Sequence, residues 1–313
     1  MKILLPDTIE LDPALPEGWE SATVDARAEI PAEHHDAEVV VLWGPSRAHL
    51  VSAVENLDRL QLVQSLSAGV EGIVAAGFPE QVPIATGAGL HSRTVSEHTT
   101  ALLLTLLRRL PEAGQAQARH EWSSELGGLQ PLHPEGRLTT LIGARVLIWG
   151  FGQIGQTLAP TLQGLGASVR GAARSAGERS GFEVIADTDV LAALPEVDVL
   201  INILPATDAT RQIIGPEVLA ALPDHAVLIN VGRGATVDQQ ALREALEAGT
   251  LGSAALDVTD PEPLPAGDPL WDAPRLLITP HAAGGRPVDA DQRISENVRA
   301  LSDGTEIAHV AAR

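Results

Sequence analysis

Along the last two thirds of the chain, short aliphatic runs alternate with stretches in which apolar positions recur every three or four residues. The runs Arg145–Trp149, Ser168–Ala172, Val197–Ile203, Ala226–Val231, Ser253–Val258 and Leu276–Thr279 read as strands, and Gly155–Leu165 and Asp238–Ala248 read as helices. Asp238 is a suitable N-cap for the second helix, because its carboxylate can accept from the unpaired amides of a first turn. Strand and helix in alternation predict a parallel sheet covered on both faces. The first third carries a second set of short strands, Lys2–Leu5, Glu38–Leu42, Leu62–Gln64 and Pro83–Ala85, which predicts a smaller α/β domain.

Two longer helical patterns connect these sets. Ser92–Leu110 reads as one helix, with Ser96-Glu97-His98 near its start, Leu102, Leu103, Leu106 and Leu110 on its apolar face, and Pro111 as its stop. Asp289–Leu301 reads as the closing helix. The chain is therefore expected to cross into the larger domain near residue 92 and to return near 287. Residues 93–287 would form one domain, inserted into a second built from 1–92 and 288–313.

Composition narrows the function. A chain of 313 residues with 44% hydrophobic and 20% charged residues suits two globular domains. Its formal charge is −20, and among 21 basic residues Lys2 is the sole lysine. Such a surface repels nucleic-acid phosphates and anionic membranes, so a small molecule is the expected partner and its charge needs a local basic anchor. A GC-rich genome accounts for the arginine bias, with salt adaptation as the alternative. The absence of cysteine excludes disulfides, thiolate metal sites and thiol nucleophiles. The apolar run at Met1–Pro6 is too brief for a secretory leader, and Ala101–Leu107 is too short to span a bilayer, so a cytoplasmic location is expected.

Gly150-Phe151-Gly152-Gln153-Ile154-Gly155 follows a strand and opens a helix. In that setting the first glycine permits the turn, the second admits a pyrophosphate, and the third lets helix and strand pack closely. The next strand ends Gly171-Ala172-Ala173-Arg174-Ser175, without the acid that would hold the ribose hydroxyls of NAD. Arg174 and Ser175 instead offer a guanidinium and a hydroxyl to a 2′-phosphate, which favours NADP over NAD. The alternative is a solvated Arg174, with Glu178 or an amide serving the ribose.

Three segments at the ends of late strands carry candidate chemistry: Asn230-Val231-Gly232-Arg233-Gly234, Leu256-Asp257-Val258-Thr259-Asp260-Pro261-Glu262-Pro263, and Thr279-Pro280-His281-Ala282-Ala283-Gly284. An arginine between glycines can clamp a carboxylate. A histidine can exchange a proton near neutral pH, and Glu262 could orient its ring.

In this order and spacing, with Gln64–Val70 and Ile294–Val298, the motifs resemble the D-isomer-specific 2-hydroxyacid dehydrogenase family along nearly the whole chain. The resemblance implies a Rossmann doubly wound parallel sheet plus a smaller flavodoxin-like α/β domain formed by both termini. It implies hydride transfer between NAD(P)H and a small 2-keto or D-2-hydroxy acid, with closure of the domains during the reaction. Arg233 would bind the substrate carboxylate, and His281, paired with Glu262, would exchange the proton. Amides of Ala68, Gly69 and Val70 would receive the carboxylate. Thr86, the glycine turn with Gln153 and Ile154, Leu204, Val231, Gly232, Asp257 and Ala282–Gly284 would face the cofactor, with Asp257 holding the carboxamide.

A homodimer is implied as well, with the helix from Ser92 and the segment Gln115–Leu132 as interface candidates. Glu262 argues against the formate dehydrogenase branch, which has glutamine there. A 3-phosphoglycerate dehydrogenase and a non-enzymatic dinucleotide-sensing corepressor stand as alternatives. Trp43, Arg47, Trp122 and Trp271 are candidates for substrate contact. For Trp43 and Arg47 the alternative is a capped loop with a solvated arginine, and for the two later tryptophans it is simple packing.

Overall fold

In the computed structural model, which describes residues 1–134 and 136–312, the chain divides into two units. One is Met1–His91 with the segment from Arg286 onward, and the other is Ser92–Gly285. The first unit contains β1 (Lys2–Pro6), β2 (Glu20–Val24), β3 (Val39–Leu42), α1 (Arg47–Asn56), β4 (Leu62–Ser65), α2 (Glu71–Ala75) and β5 (Ile84–Ala85). The strands are all parallel in the order β2-β1-β3-β4-β5, the doubly wound order of flavodoxin-like sheets. β1, β3 and β4 are central because their aliphatic residues can be buried on both faces. β2, at the edge, buries only Val24, and its polar sequence ESATV hides it from hydrophobic patterning.

The second unit begins with α3 (Ser92–Leu107) and α4 (Leu110–Ala118). The single helix expected over Ser92–Leu110 is therefore two. Arg109 adopts a left-handed conformation (φ 52°) between them, and Pro111 lies in the first turn of α4. Proline starts a helix without loss, since amides there have no intrahelical partner, so Pro111 marks a beginning rather than an end. There follow β6 (Arg145–Trp149), α5 (Gln153–Gly164), β7 (Ser168–Ala173), β8 (Gly177–Arg179), β9 (Phe182–Ala186), α6 (Val190–Ala193), β10 (Val199–Asn202), α7 (Pro216–Ala221), β11 (Val227–Asn230), α8 (Gln239–Ala248), β12 (Ser253–Leu256) and β13 (Leu276–Ile278).

Their order is β13-β12-β11-β10-β6-β7-β9-β8, parallel throughout except for β8, which runs antiparallel to β9 at the edge. The order in which strands are added reverses at β6, with β7 on one side and β10 on the other, which creates the switch point where doubly wound sheets bind dinucleotides. Alternate residues of β6 feed two separate cores, Val146 and Ile148 with Leu158 and Leu162 on one face, Leu147 and Trp149 with Leu200 and Leu228 on the other. The sheet is thus covered on both faces, as its unbroken apolar strands require. Asp238 caps α8 by accepting the Ala241 amide at 3.0 Å.

The chain then re-enters the first unit as α9 (Ala290–Asp303), whose Ala290, Ile294 and Val298 pack on Ile3, Leu5, Val39 and Val41. Asn297 of α9 donates to Gln64 of β4 at 2.7 Å, a buried polar contact that fixes the helix against the sheet.

Candidate active site

The glycine turn has the geometry its three glycines require. Gly150 has φ +97°, and a side chain there would come within 2.7 Å of the Ile203 carbonyl oxygen. A Cβ at Gly155 would press on Ile148 and Phe151 at 3.2 Å, whereas one at Gly152 would meet nothing within 4 Å. The open space over Gly152 is where an approaching phosphate needs room, and Gln153 and Ile154 open the helix behind it. This cradle fits the pyrophosphate of a dinucleotide.

Beyond β7, Arg174 is exposed, and among the described residues its guanidinium engages no hydrogen-bond or ion-pair partner. Ser175 is held by a residue that sequence reasoning did not single out. Arg179, at the end of β8, donates to the Ser175 carbonyl and hydroxyl at 3.2 Å each, and to the Phe151 carbonyl at 3.1 Å. A hairpin returns this arginine to the glycine turn. The signal for it was the Ser180-Gly181 turn, legible only once β8 and β9 are recognised as a pair.

Asn202 and Asn230 sit side by side at the carboxyl ends of β10 and β11. Asn202 donates to Asn230 at 3.0 Å and to Thr236 at 2.6 Å. Thr236 and Asn230 in turn donate to the Arg233 carbonyl at 2.6 and 3.2 Å. These buried contacts shape the Arg233 turn. Gly232 lies over Leu204, where a Cβ would strike its carbonyl at 2.7 Å, and Gly234 lies against the Thr259 backbone with no room for a side chain. Val231 and Leu204 are buried beside this turn. Arg233 is half-buried, donates through Nη1 to the Gly232 carbonyl at 2.8 Å, and is paired with no carboxylate among the described residues. Its remaining N–H groups are available to an anion.

His281 leaves β13 with a left-handed backbone, φ 51°. Its Nδ1 lies 2.9 Å from Glu262 Oε1, and both side chains are exposed. Asp257, fully buried, organises the loop. Its main-chain carbonyl accepts the His281 amide at 2.8 Å, Oδ1 accepts the Ala282 amide at 2.8 Å and the Thr279 hydroxyl at 2.6 Å, and Oδ2 accepts the Ala283 amide at 3.0 Å. His98 of α3 reaches the same carboxylate. Thr259, buried, donates its hydroxyl to the Pro261 carbonyl at 2.9 Å and so shapes the turn before Glu262. Trp271 donates its indole N–H to Pro265.

In the first unit, Ala68, Gly69 and Val70 form the loop between β4 and α2, and among the described residues their amides donate to no protein acceptor. Gly87 packs so tightly on the Leu66 backbone that no side chain fits, and its amide donates to Ser67. The Thr86 amide donates to the His309 carbonyl, which ties the next loop to the C-terminal segment. Trp43 stacks on His91, with centroids 5.5 Å apart, and Arg47 is a solvated residue following the Ser46 cap of α1. Among the described residues no helix is long and apolar enough to cross a membrane, and no cluster of His, Cys, Asp and Glu could hold a metal ion.

A family model described as D-isomer specific 2-hydroxyacid dehydrogenase, NAD binding domain, matches residues 100–283. The chain is 34% identical over 294 residues to glyoxylate/hydroxypyruvate reductase A of Serratia proteamaculans, covering 91% of this chain and 89% of that one. Among solved structures it is similar to a D-isomer specific 2-hydroxyacid dehydrogenase family protein of Aeromonas salmonicida (TM-score 0.83, 28% identity, 99% and 98% of the two chains). It is also similar to an NADPH-dependent glyoxylate/hydroxypyruvate reductase of Sinorhizobium meliloti in complex with NADP and sulfate (TM-score 0.77, 26% identity, 99% and 97%). With the glycine turn, Arg233 and the Glu262–His281 pair in place, the chain belongs to the D-isomer specific 2-hydroxyacid dehydrogenase family, as an NAD(P)-dependent oxidoreductase of 2-keto and D-2-hydroxy acids.

Proposed function

We propose that this enzyme is an NADPH-dependent reductase of small 2-keto acids of the glyoxylate and hydroxypyruvate type, acting as a cytoplasmic homodimer. The observation that carries the reading is the His281–Glu262 contact of 2.9 Å, together with an Arg233 that has no carboxylate partner of its own among the described residues.

Arg233 anchors the substrate carboxylate through a charge-assisted hydrogen bond and polarises the keto oxygen. The amides of Ala68, Gly69 and Val70 are the further carboxylate donors, and their lack of protein acceptors among the described residues supports that role. Glu262 accepts from Nδ1 of His281, which orients the ring. Nε2 then carries the proton that passes to the oxygen as the keto group is reduced, and takes it back in oxidation. Bound NADPH supplies the hydride. Gly150, Gly152 and Gly155 with Gln153 and Ile154 hold its pyrophosphate, and Arg174 and Ser175 receive the 2′-phosphate. Thr86, Leu204, Val231, Gly232 and Ala282–Gly284 flank the nicotinamide half. Asp257 Oδ2, which accepts the Ala283 amide, keeps a second lone pair for the carboxamide.

The preference for NADPH is supported by Arg174 and by similar proteins solved with NADPH or NADP, among them one from Xanthobacter autotrophicus (TM-score 0.79, 28% identity). The dimer is supported by the apolar side chains of the segment after α4, where Trp122 and Leu129 are wholly exposed.

Initial rates of NADPH and NADH oxidation with glyoxylate, hydroxypyruvate, pyruvate and phenylpyruvate test the reading. Turnover of glyoxylate or hydroxypyruvate with a clear advantage for NADPH is expected. Dinucleotide binding without reduction of any 2-keto acid would overturn it in favour of a sensing role.

A further inference from the structure

The hydrogen bonds behind His281 run to a side chain that the proposed reaction does not use. His98, on the second turn of α3, places Nε2 3.1 Å from Thr279 Oγ1 and 3.2 Å from Asp257 Oδ1. The Thr279 hydroxyl gives its one proton to Asp257 at 2.6 Å, so towards His98 it can only accept. The Asp257 carboxylate likewise accepts. Nε2 of His98 must therefore bear hydrogen, and the neutral ring suffices.

We propose that His98 is a positioning residue, which locks the Asp257 carboxylate onto the loop that presents His281. This rests on the role given to His281 above. Asp257 gathers three successive amides: the main-chain carbonyl takes His281, Oδ1 takes Ala282, and Oδ2 takes Ala283. The loop they define is not relaxed. A left-handed backbone costs a residue with a side chain about 1–2 kcal/mol, and it persists only where surrounding contacts over-determine it. Both oxygens must hold their orientation for Ala282 and Ala283 to be satisfied together. His98 and Thr279 fix that orientation through Oδ1.

The platform is rigid. α3 is a 16-residue helix whose Leu102, Leu103 and Leu107 are buried in the core of the same unit, and it packs on β12, the strand that leads into Asp257. Removing the His98 donor leaves Oδ1 with the Thr279 and Ala282 contacts alone and frees the Thr279 hydroxyl to rotate. The loop then relaxes towards an ordinary backbone, and His281 Nδ1 drifts from Glu262. A misplacement on the order of 1 Å near the reacting atoms can cost about a hundredfold in rate.

The test compares the wild type with His98→Leu, His98→Gln and Thr279→Val in two measurements. The first is steady-state reduction of glyoxylate by NADPH, with NADPH affinity by fluorescence titration. His98→Leu and Thr279→Val should lower kcat by about tenfold or more, within the range of lost positioning, with a smaller loss of NADPH affinity because Asp257 is also the proposed carboxamide partner. His98→Gln, whose amide can donate at similar reach, should recover most of the loss. The second is hydrogen exchange of peptides spanning residues 279–284 without substrate, where the Leu and Val variants should exchange faster and the Gln variant should not. Unchanged exchange in both the Leu and Val variants would overturn the inference, whatever the activity. Equal losses in the Leu and Gln variants would also overturn it, since packing rather than hydrogen bonding would then be responsible. A wild type inactive on every 2-keto acid, with exchange that still follows His98, would overturn the function proposed above and leave this inference standing.

Discussion

His281 has one ring nitrogen committed to Glu262 at 2.9 Å, which leaves Nε2 for the proton transfer proposed above. His281→Ala should lower kcat by about a hundredfold or more, the scale of general acid catalysis, with NADPH affinity unchanged by fluorescence titration. Loss of affinity in step with rate would instead make it a cofactor ligand. Arg174 presents the complementary case. With its guanidinium exposed and unpaired among the described residues, Arg174→Ala should weaken NADPH by about tenfold to a hundredfold, a charge-assisted hydrogen bond's worth of roughly 1.5–3 kcal/mol, and leave NADH nearly unaffected. Equal losses would remove the 2′-phosphate from its role. Arg179 holds Ser175 and the Phe151 carbonyl together, so this residue stabilises the turn that carries Arg174.

At the scale of elements, the first two glycines of the turn separate folding from binding. Gly150 combines φ +97° with backbone atoms 2.7 Å from a would-be Cβ, whereas Gly152 faces open space. Gly150→Ala should cost at least ~1–3 kcal/mol from backbone strain alone, seen as a lower unfolding midpoint. Gly152→Ala should keep the wild-type midpoint and lose NADPH affinity; a destabilised Gly152→Ala would contradict this division.

The amino ends of the same strands carry a second testable contact. Asp198 accepts the Arg145 amide at 2.7 Å, the Arg145 guanidinium at 3.1 Å and His225 at 2.8 Å. Burial opposes its ionisation, but the hydrogen bonds from Arg145 and His225 outweigh it and hold its pKa below the ordinary value. A depressed carboxylate adds stability that is fully present above its unfolded pKa and fades as pH falls through the folded one. Asp198→Asn should therefore lower the urea midpoint at pH 7, and the gap to wild type should narrow below about pH 4.

The elements legible in the sequence were those buried on both faces, such as β6, β10 and β11, and the motifs bound to their carboxyl ends. The polar edge strands β2 and β8 were not legible, whereas the apolar edge strands β5 and β13 were. β2 and β8 have half their residues or more in solvent, so solubility rather than a core sets their composition. The break at Arg109 was hidden because leucines continue across it, and Pro111 reads equally well as the end of one helix or the start of another. Of the candidate site, Arg233, Glu262 and His281 stood out as candidates by local chemistry, and the family resemblance supplied their roles. The contact of His98 with Asp257 was not, because it joins residues far apart in the chain.

For the molecule as a whole, charge and exposed apolar surface pull in opposite directions. Each chain carries −20, so two copies repel at long range. The segment after α4 nevertheless exposes Trp122, Leu129 and Leu132 to solvent, a set of large apolar side chains that an isolated chain has little reason to display. If this segment covers a second copy, association is a short-range apolar gain opposed by screened repulsion. The Debye length is about 30 Å at 0.01 M salt and about 3 Å at 1 M, so dimerisation should strengthen with salt, opposite to an interface held by ion pairs. Sedimentation equilibrium at low and high salt measures this. A double substitution of Trp122→Ala and Leu129→Ala should shift the protein towards monomer at both salt concentrations while its unfolding transition remains cooperative. A double variant that stays as dimeric as the wild type would place the interface elsewhere.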